Sequence, residues 1–249
     1  MSAVLAFNER TDAGASFSNR HRRFSLKEYE RMIEVGILTE QDSCELIRGK
    51  ILEKNWEGGS AYPPYHRFSL DQYEQMIADG ILTEQDRCEL IRGEIVEKMT
   101  IGEPHAACVT RLAHCFYALT QEVAIVSVQN HVVLDNSRPE PDLALLLPRD
   151  DFYSEAAPHA ADILLLIEVA DSSLTVDRTT KLSLYAQSGV GEYWIVNLID
   201  RCVEVYRDPQ HDGTYSDMRV LHSGETLGIL ALAGVTLAVD QVFPVRRDR

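Results

Sequence analysis

The sequence predicts an α/β domain preceded by an extra copy of its own opening helix and hairpin. Three observations predict this: residues 23–54 recur almost unchanged as residues 67–98, an amphipathic helical pattern follows the second copy, and short apolar runs then alternate with another helical pattern. The order helix, three strands, helix, strand is that of an α/β core. At 249 residues, with 45% hydrophobic and 25% charged residues, the chain can bury such a core and is too apolar for wholesale disorder.

The copies, RFSLKEYERMIEVGILTEQDSCELIRGKILEK and RFSLDQYEQMIADGILTEQDRCELIRGEIVEK, are identical at 24 of 32 positions. No third copy follows, and a solenoid needs about three units, so a repeat array is not expected. In the second copy Ser69 is placed to cap a helix with Leu70, Tyr73, Met76 and Ile77 at helical spacing, and Gly80 to end it. Cys88–Ile91 and Glu94–Glu97 read as strands about an Arg92-Gly93 turn. The first copy runs instead into WEGGSAYPP, a Gly/Pro-rich linker starting at Trp56. Residues 1–66 are therefore assigned to an appendage and residues 67–249 to the domain. Because the domain offers one seat for the hairpin, the appendage is expected to dock loosely, and its deletion to leave fold and activity intact. Pairing between chains would allow a homodimer.

Along the domain, residues 104–122 suit an amphipathic helix opened by proline. Residues 124–134 are rich in Val and Ile, while residues 141–147 (PDLALLL) and 162–170 (DILLLIEVA) are almost wholly apolar, as strands buried on both faces are. Residues 176–188 form a helical pattern closing on Gly189, strands follow at residues 192–198 and 202–207, and a further strand pair lies within residues 215–239. Five cysteines with no CxxC pair read as reduced core thiols. No apolar run approaches the roughly 18 residues that span a bilayer, and the N-terminus lacks the apolar stretch of a secretory signal. No membrane contact is expected, and a cytoplasmic location is. No P-loop, nucleophile elbow or dinucleotide fingerprint is present.

Two carboxylates interrupt apolar strands, where a charge is costly unless paired or bound to a cation: Asp142 in PDLALLL and Glu168 in ILLLIEVA. On neighbouring strands they could form a site for a hard divalent cation, which binds through one or two carboxylates plus phosphate oxygens and water. Period-two alternation puts residue 170 on the face of Glu168, and it is Ala170. An ammonium beside the pair would have to come from Lys181, which with Lys98 makes up all the lysines of residues 67–249. Blander readings stand beside these: Asp142 as a capping carboxylate after proline, and Lys181 as an exposed i,i+4 partner of Asp177. Glu89 has a duplicate at Glu45, so one of the two is dispensable to a single site. His105, Cys108 and Cys115 lack the fourth ligand of a structural zinc, and Tyr193-Trp194 reads as core.

Pro141-Asp142, then Glu168-Val169-Ala170, then Asp177-Arg178-x-x-Lys181 with Tyr185-Ala186-x-x-Gly189-Val190-x-Glu192-Tyr193-Trp194-Ile195-Val196 form an ordered set. Together with the upstream segment CELIRGEIV from Cys88 and His105, the set resembles the Uma-type family of putative restriction endonucleases, in the PD-(D/E)XK nuclease superfamily. The resemblance covers most of residues 67–243. It implies a restriction-endonuclease-like core with a central mixed β-sheet flanked by helices. It also implies metal-dependent phosphodiester hydrolysis of nucleic acid, DNA in the first place. The residues implied are Asp142 and Glu168 holding Mg²⁺ or Mn²⁺, Lys181 as a lysine moved from position 170 to the next helix, Glu89 as a further carboxylate, and His105 as a substrate or outer contact.

Charge supports an alternative. Residues 67–249 carry 15 basic against 29 acidic residues, while residues 1–66 carry 9 against 10. Duplex-binding proteins draw most of their affinity from Lys and Arg on phosphates. The alternative is a catalytically weak or inactive nuclease-fold module that binds or regulates. A hydrolase of small phosphate esters also fits the acidity, with no motif behind it. Arg87, Arg92, Arg111, Arg138, Arg149 and Arg178 are the arginines that could gather round the site.

Overall fold

Both repeats open at a serine that caps a helix reciprocally. Ser25 Oγ accepts from the Glu28 N–H while the Glu28 carboxylate accepts from the Ser25 N–H, and Ser69 and Gln72 do the same. In the computed structural model, which describes residues 20–55 and 63–243, these helices are α1 (Leu26–Glu34) and α2 (Leu70–Ala78). Each leads to a hairpin, β1 (Cys44–Ile47) with β2 (Lys50–Glu53), and β3 (Cys88–Ile91) with β4 (Glu94–Glu97). The turn glycine Gly93 has φ +81°, and a Cβ there would meet the Phe68 carbonyl at 3.0 Å, so this position requires glycine. Of the expected linker at residues 56–64, residues 56–62 lie outside the described residues, while Pro64 is drawn into pairing with β2 rather than left as linker.

The two copies are locked together. Phe24, Met32, Ile37 and Leu38 of the first share one buried cluster with Phe68, Tyr73, Met76, Ile81 and Leu82 of the second. Their lead-in strands are exchanged. The Arg22 N–H donates to the Ile95 carbonyl (2.9 Å) and the Glu97 N–H to the Arg20 carbonyl (2.7 Å), so residues 20–22 add to β4. Residues 64–66 add likewise to β2, through His66 N–H to Ile51 (2.9 Å) and Glu53 N–H to Pro64 (3.1 Å). His21 stacks on Tyr65 and Phe24 meets Phe68, with centroids 3.6 and 6.5 Å apart. Both pairs join equivalent positions, 44 residues apart, as contacts on a two-fold axis do. Several positions where the copies differ lie at this contact: Arg31 pairs with Asp79 (3.3 Å), and the Gln72 and Gln75 amides donate to the Ile37 and Val35 carbonyls. The expectation of loose docking is thereby corrected. Each hairpin leaves a free edge that the other copy's lead-in strand completes.

Next comes α3 (Glu103–Thr120), with Pro104 in its first turn. A six-stranded sheet follows, in the order β10-β9-β8-β7-β6-β5. Its strands are β5 (Ile125–Val128), β6 (Leu143–Leu146), β7 (Ile163–Ala170), β8 (Glu192–Asn197), β9 (Cys202–Pro209) and β10 (Tyr215–Leu221). All neighbours are antiparallel except β7 and β8, so the sheet is mixed. The β7–β8 crossover is helical: α4 (Leu174–Val176), a π-helical turn over Asp177–Lys181, and α5 (Leu182–Gln187). A short pair, β11 (Thr226–Gly228) with β12 (Thr236–Ala238), and α6 (Val239–Val242) complete the described residues.

Alternation along the strands builds two layers. Leu143, Leu145, Ile167, Val169, Trp194 and Val196 lie against Val109, Leu112 and Phe116 of α3. Leu166, Ala170, Tyr193 and Ile195 lie against Leu184, Tyr185 and Ala186 of α5. The expected strand over residues 124–134 ends at Val128, because Gln129 turns to φ +52°. Val132 and Leu134 are still buried, in the segment that carries the chain past the Leu90 edge of the second hairpin.

Candidate active site

β6 and β7 pair with Leu143 opposite Ile167 and Ala144 opposite Leu166. One step further, this register sets Asp142 across from Glu168, both on the sheet face turned to α5. Each carboxylate is pinned through one oxygen. Asp142 Oδ2 accepts from the Val169 N–H (2.9 Å) and bonds His105 Nε2 (2.9 Å), from the first turn of α3, while Oδ1 takes only the Gln129 amide at 3.3 Å. Glu168, 4% exposed, accepts at Oε1 from Lys181 Nζ (2.8 Å) and the Tyr185 hydroxyl (2.7 Å).

Lys181 also reaches Glu89 Oε1 at 3.7 Å, and Glu89 is itself fixed by the Glu140 N–H (2.7 Å). The π-helical turn, closed by the Leu182 N–H on the Asp177 carbonyl, brings Asp177, Thr180 and Lys181 inside together. Asp177 Oδ2 is buried with no hydrogen-bond partner among the described residues. Asp142, Glu168, Lys181, Glu89 and His105 thus line one cleft, with Asp177. Glu45, the duplicate of Glu89, is exposed.

Sequence reasoning offered Asp177 only as an exposed i,i+4 partner of Lys181, whereas both are buried, and gave Tyr185 no role although it stands at i+4 from Lys181. It also spread the arginines too widely. Only Arg87 of the six lines the cleft, joined by Arg20 and Lys98. Arg92 bonds Ser183 and Gln187, Arg149 bonds Asp151, and Arg178 bonds Glu204. Arg138 bonds His131, and Arg111 the Gln241 carbonyl.

Residues 70–240 match the model of the Uma2 family, described as "Putative restriction endonuclease". The chain belongs to the Uma2 family. Its fold is also that of a crystal structure titled a putative nuclease belonging to DUF820 from Anabaena variabilis. That structure has a TM-score of 0.58 at 18% identity and covers 71% of this chain and 97% of its own. No curated protein matches the chain. No helix among the described residues is long and apolar enough to cross a membrane.

In this Uma2 member the cleft gathers four carboxylates about one buried ammonium. Burial raises the Glu168 pKa, helped by Asp177, Asp142 and Glu89 and opposed by Lys181. Burial likewise raises that of Asp177, to about 6. Burial would lower Lys181, but Glu168, Glu89 and Asp177 outweigh it and raise its pKa. For Asp142 burial acts upward, and the bonds from His105 and the Val169 N–H hold it below the ordinary value.

These directions predict a pH dependence for the metal-free chain. Between the ordinary carboxylate range, about pH 4, and about pH 6 and above, folded Glu168 and Asp177 hold protons that the unfolded chain has released. Stability therefore falls as pH rises through this window. The depressed Asp142 acts in the opposite sense, but only below about pH 4. Thermal unfolding in EDTA from pH 5 to 8 should show a declining Tm that Mg²⁺ flattens. A Tm that rises steadily to pH 8 in EDTA would contradict it.

The donor set fits a divalent cation. Six carboxylates line the cleft, the four about Lys181 with Glu140 and Asp171, against the cations Arg20, Arg87, Lys98 and Lys181; among the described residues a buried Asp177 oxygen lacks a partner, and Asp142 Oδ1 has only one long bond. Among the described residues no three His, Cys, Asp or Glu side chains form a metal cage. A cation there would draw its remaining ligands from water and substrate, as Mg²⁺ does.

Proposed function

We propose that this Uma2 chain hydrolyses phosphodiester bonds of nucleic acid with the help of Mg²⁺ or Mn²⁺ held by Asp142 and Glu168. The observation that carries the reading is the facing pair itself. Asp142, the residue just before β6, comes opposite Glu168 of β7 by extension of the register, each is oriented through one oxygen, and Lys181 lies on Glu168. The cation, when bound, would neutralise charge that develops on the phosphate. His105 and the Val169 N–H hold Asp142 in one orientation, as partners behind a metal ligand do. Tyr185 and Lys181 do the same for Glu168, and the Lys181 ammonium adds positive charge where the transition state gains negative charge. Glu89 sets the far side of Lys181 and helps to keep it protonated.

Cleavage of plasmid, single-stranded DNA and RNA with Mg²⁺ and then Mn²⁺ tests this. Wild type should cut at least one substrate, and Asp142→Ala should reduce cutting by roughly a hundredfold or more. Cutting that survives EDTA, or that Asp142→Ala leaves intact, would sink it. The acidity of residues 67–249 favours a second reading, an inactive nuclease-fold module. Binding without metal-dependent cutting on any substrate would select that reading.

A further inference from the structure

The duplicated segment does more than cover α2, because its lead-in strand ends at the cleft. Residues 20–22 are tied to β4 by two main-chain hydrogen bonds, and the Arg20 guanidinium reaches the Glu97 carbonyl from Nε (3.1 Å) and Nη2 (2.6 Å). This brings Arg20 to the cleft lining, with Glu89, Lys98, Asp142, Glu168 and Lys181. Its charged neighbours include Glu89, Asp177 and Glu97.

The arrangement is lopsided where the rest of the pair is two-fold. The position equivalent to Arg20 in the second lead-in is Pro64, beside a hairpin whose Glu45 is exposed. Arg87, the other arginine in the lining, replaces Ser43 of the first copy. The two arginines of the lining therefore have no arginine counterpart at the equivalent end of the pair, whereas Lys98 has its counterpart in Lys54.

We propose that the N-terminal copy acts as an internal partner subunit that supplies Arg20 to the cleft, where its guanidinium binds a backbone phosphate of the nucleic acid next to the scissile one. Guanidinium suits this role because it is permanently charged and presents its donors in a fork that matches phosphate oxygens. It also answers the acidity of residues 67–249, since part of the phosphate-binding charge comes from outside them. This inference rests on the nuclease reading above.

The test uses the full chain with Arg20→Ala, Arg20→Lys and, as a control, Arg23→Ala, an exposed neighbour bonded to the Arg48 carbonyl away from the cleft. Steady-state cleavage and fluorescence anisotropy of a labelled oligonucleotide are followed across a salt titration. Arg20→Ala should raise KM and Kd about tenfold with kcat within about twofold, and should reduce the salt slope by about one phosphate contact. Arg20→Lys should keep the salt slope but recover only part of the affinity, because an ammonium supplies the charge without the fork of donors, and Arg23→Ala should match wild type. The melting temperature of each variant separates loss of contact from loss of fold. Unchanged KM, Kd and salt slope in Arg20→Ala, or equal changes in Arg23→Ala, would overturn this inference alone. A wild-type chain that neither binds nor cuts would overturn it together with the nuclease reading.

Discussion

Lys181→Ala is expected to abolish cleavage and to destabilise the metal-free chain by about 3–5 kcal/mol near pH 8. Lys181 is 8% exposed, and its ammonium lies 2.8 Å from Glu168 and 3.7 Å from Glu89, with Asp177 on its own helical turn. Its removal leaves three buried carboxylates without their common counter-charge. They can recover part of the loss by taking up protons, so the penalty should shrink below about pH 6, where acid favours the neutral carboxyl forms. Mg²⁺ should recover part of it as well, by supplying the missing charge. Lys181→Met combined with Glu168→Gln should regain stability without activity, because the buried pair is then removed as a whole. Urea denaturation with and without Mg²⁺ at pH 5.5 and 8, alongside the cleavage assay, measures all of this. A cost under about 1 kcal/mol, typical of an exposed ion pair, with normal cutting, would return Lys181 to the surface role that its i,i+4 spacing from Asp177 also allows.

Met32→Ala should cost about 2–5 kcal/mol in global stability, close to the cost of Met76→Ala. Met32 and Met76 are equivalent positions, both fully buried in the cluster that the two copies share. Truncating either leaves a cavity in one common core. Loose docking would make the two variants behave very differently, since a segment that detaches on its own adds little to the stability of the rest. Chemical denaturation of both variants, followed by tryptophan fluorescence and by helical circular dichroism, distinguishes the cases. Coincident transitions with similar losses are expected; a Met32→Ala chain within about 0.5 kcal/mol of wild type would show the first copy to be independent. Deletion of residues 1–66 would strip the cover from Tyr73, Met76, Ile81 and Leu82, so it should lower the melting temperature sharply rather than leave the fold intact.

How much of this was legible beforehand follows from the range of each interaction. Capping at Ser69, the Arg92-Gly93 turn and the bounds of β3 and β4 are local, written within a few residues, and the structure reproduces them. The apolar runs around Leu143 and Ile167 announce buried strands by composition alone. A carboxylate inside such a run has few places to go, which is why Asp142 and Glu168 stood out. Where the expectation of loose docking failed, a distant partner decided, the buried cluster that the first copy shares with the second. No pattern near residue 129 marks the end of β5, which comes with a backbone turn at Gln129.

The sequence by itself determined the α/β order and the repeat, marked Asp142 and Glu168 as carboxylates in apolar runs, and carried the ordered motif set by which the chain resembles its family. The order and the marked carboxylates depend on periodicity, local hydrogen bonding and the cost of burying charge, all of which act along a short stretch of chain. Only the tertiary structure decided that Asp142 faces Glu168, that Lys181 bonds Glu168 and lies within reach of Glu89, that Asp177 and Tyr185 join them, and that Arg20 arrives at the cleft from the other copy. Each of those rests on strand register, on a π-helical turn or on the exchange of lead-in strands between near-identical repeats. Both hairpins are CELIRG sequences with similar edges. Which lead-in strand completes which hairpin is settled by the packing of the pair around its shared core.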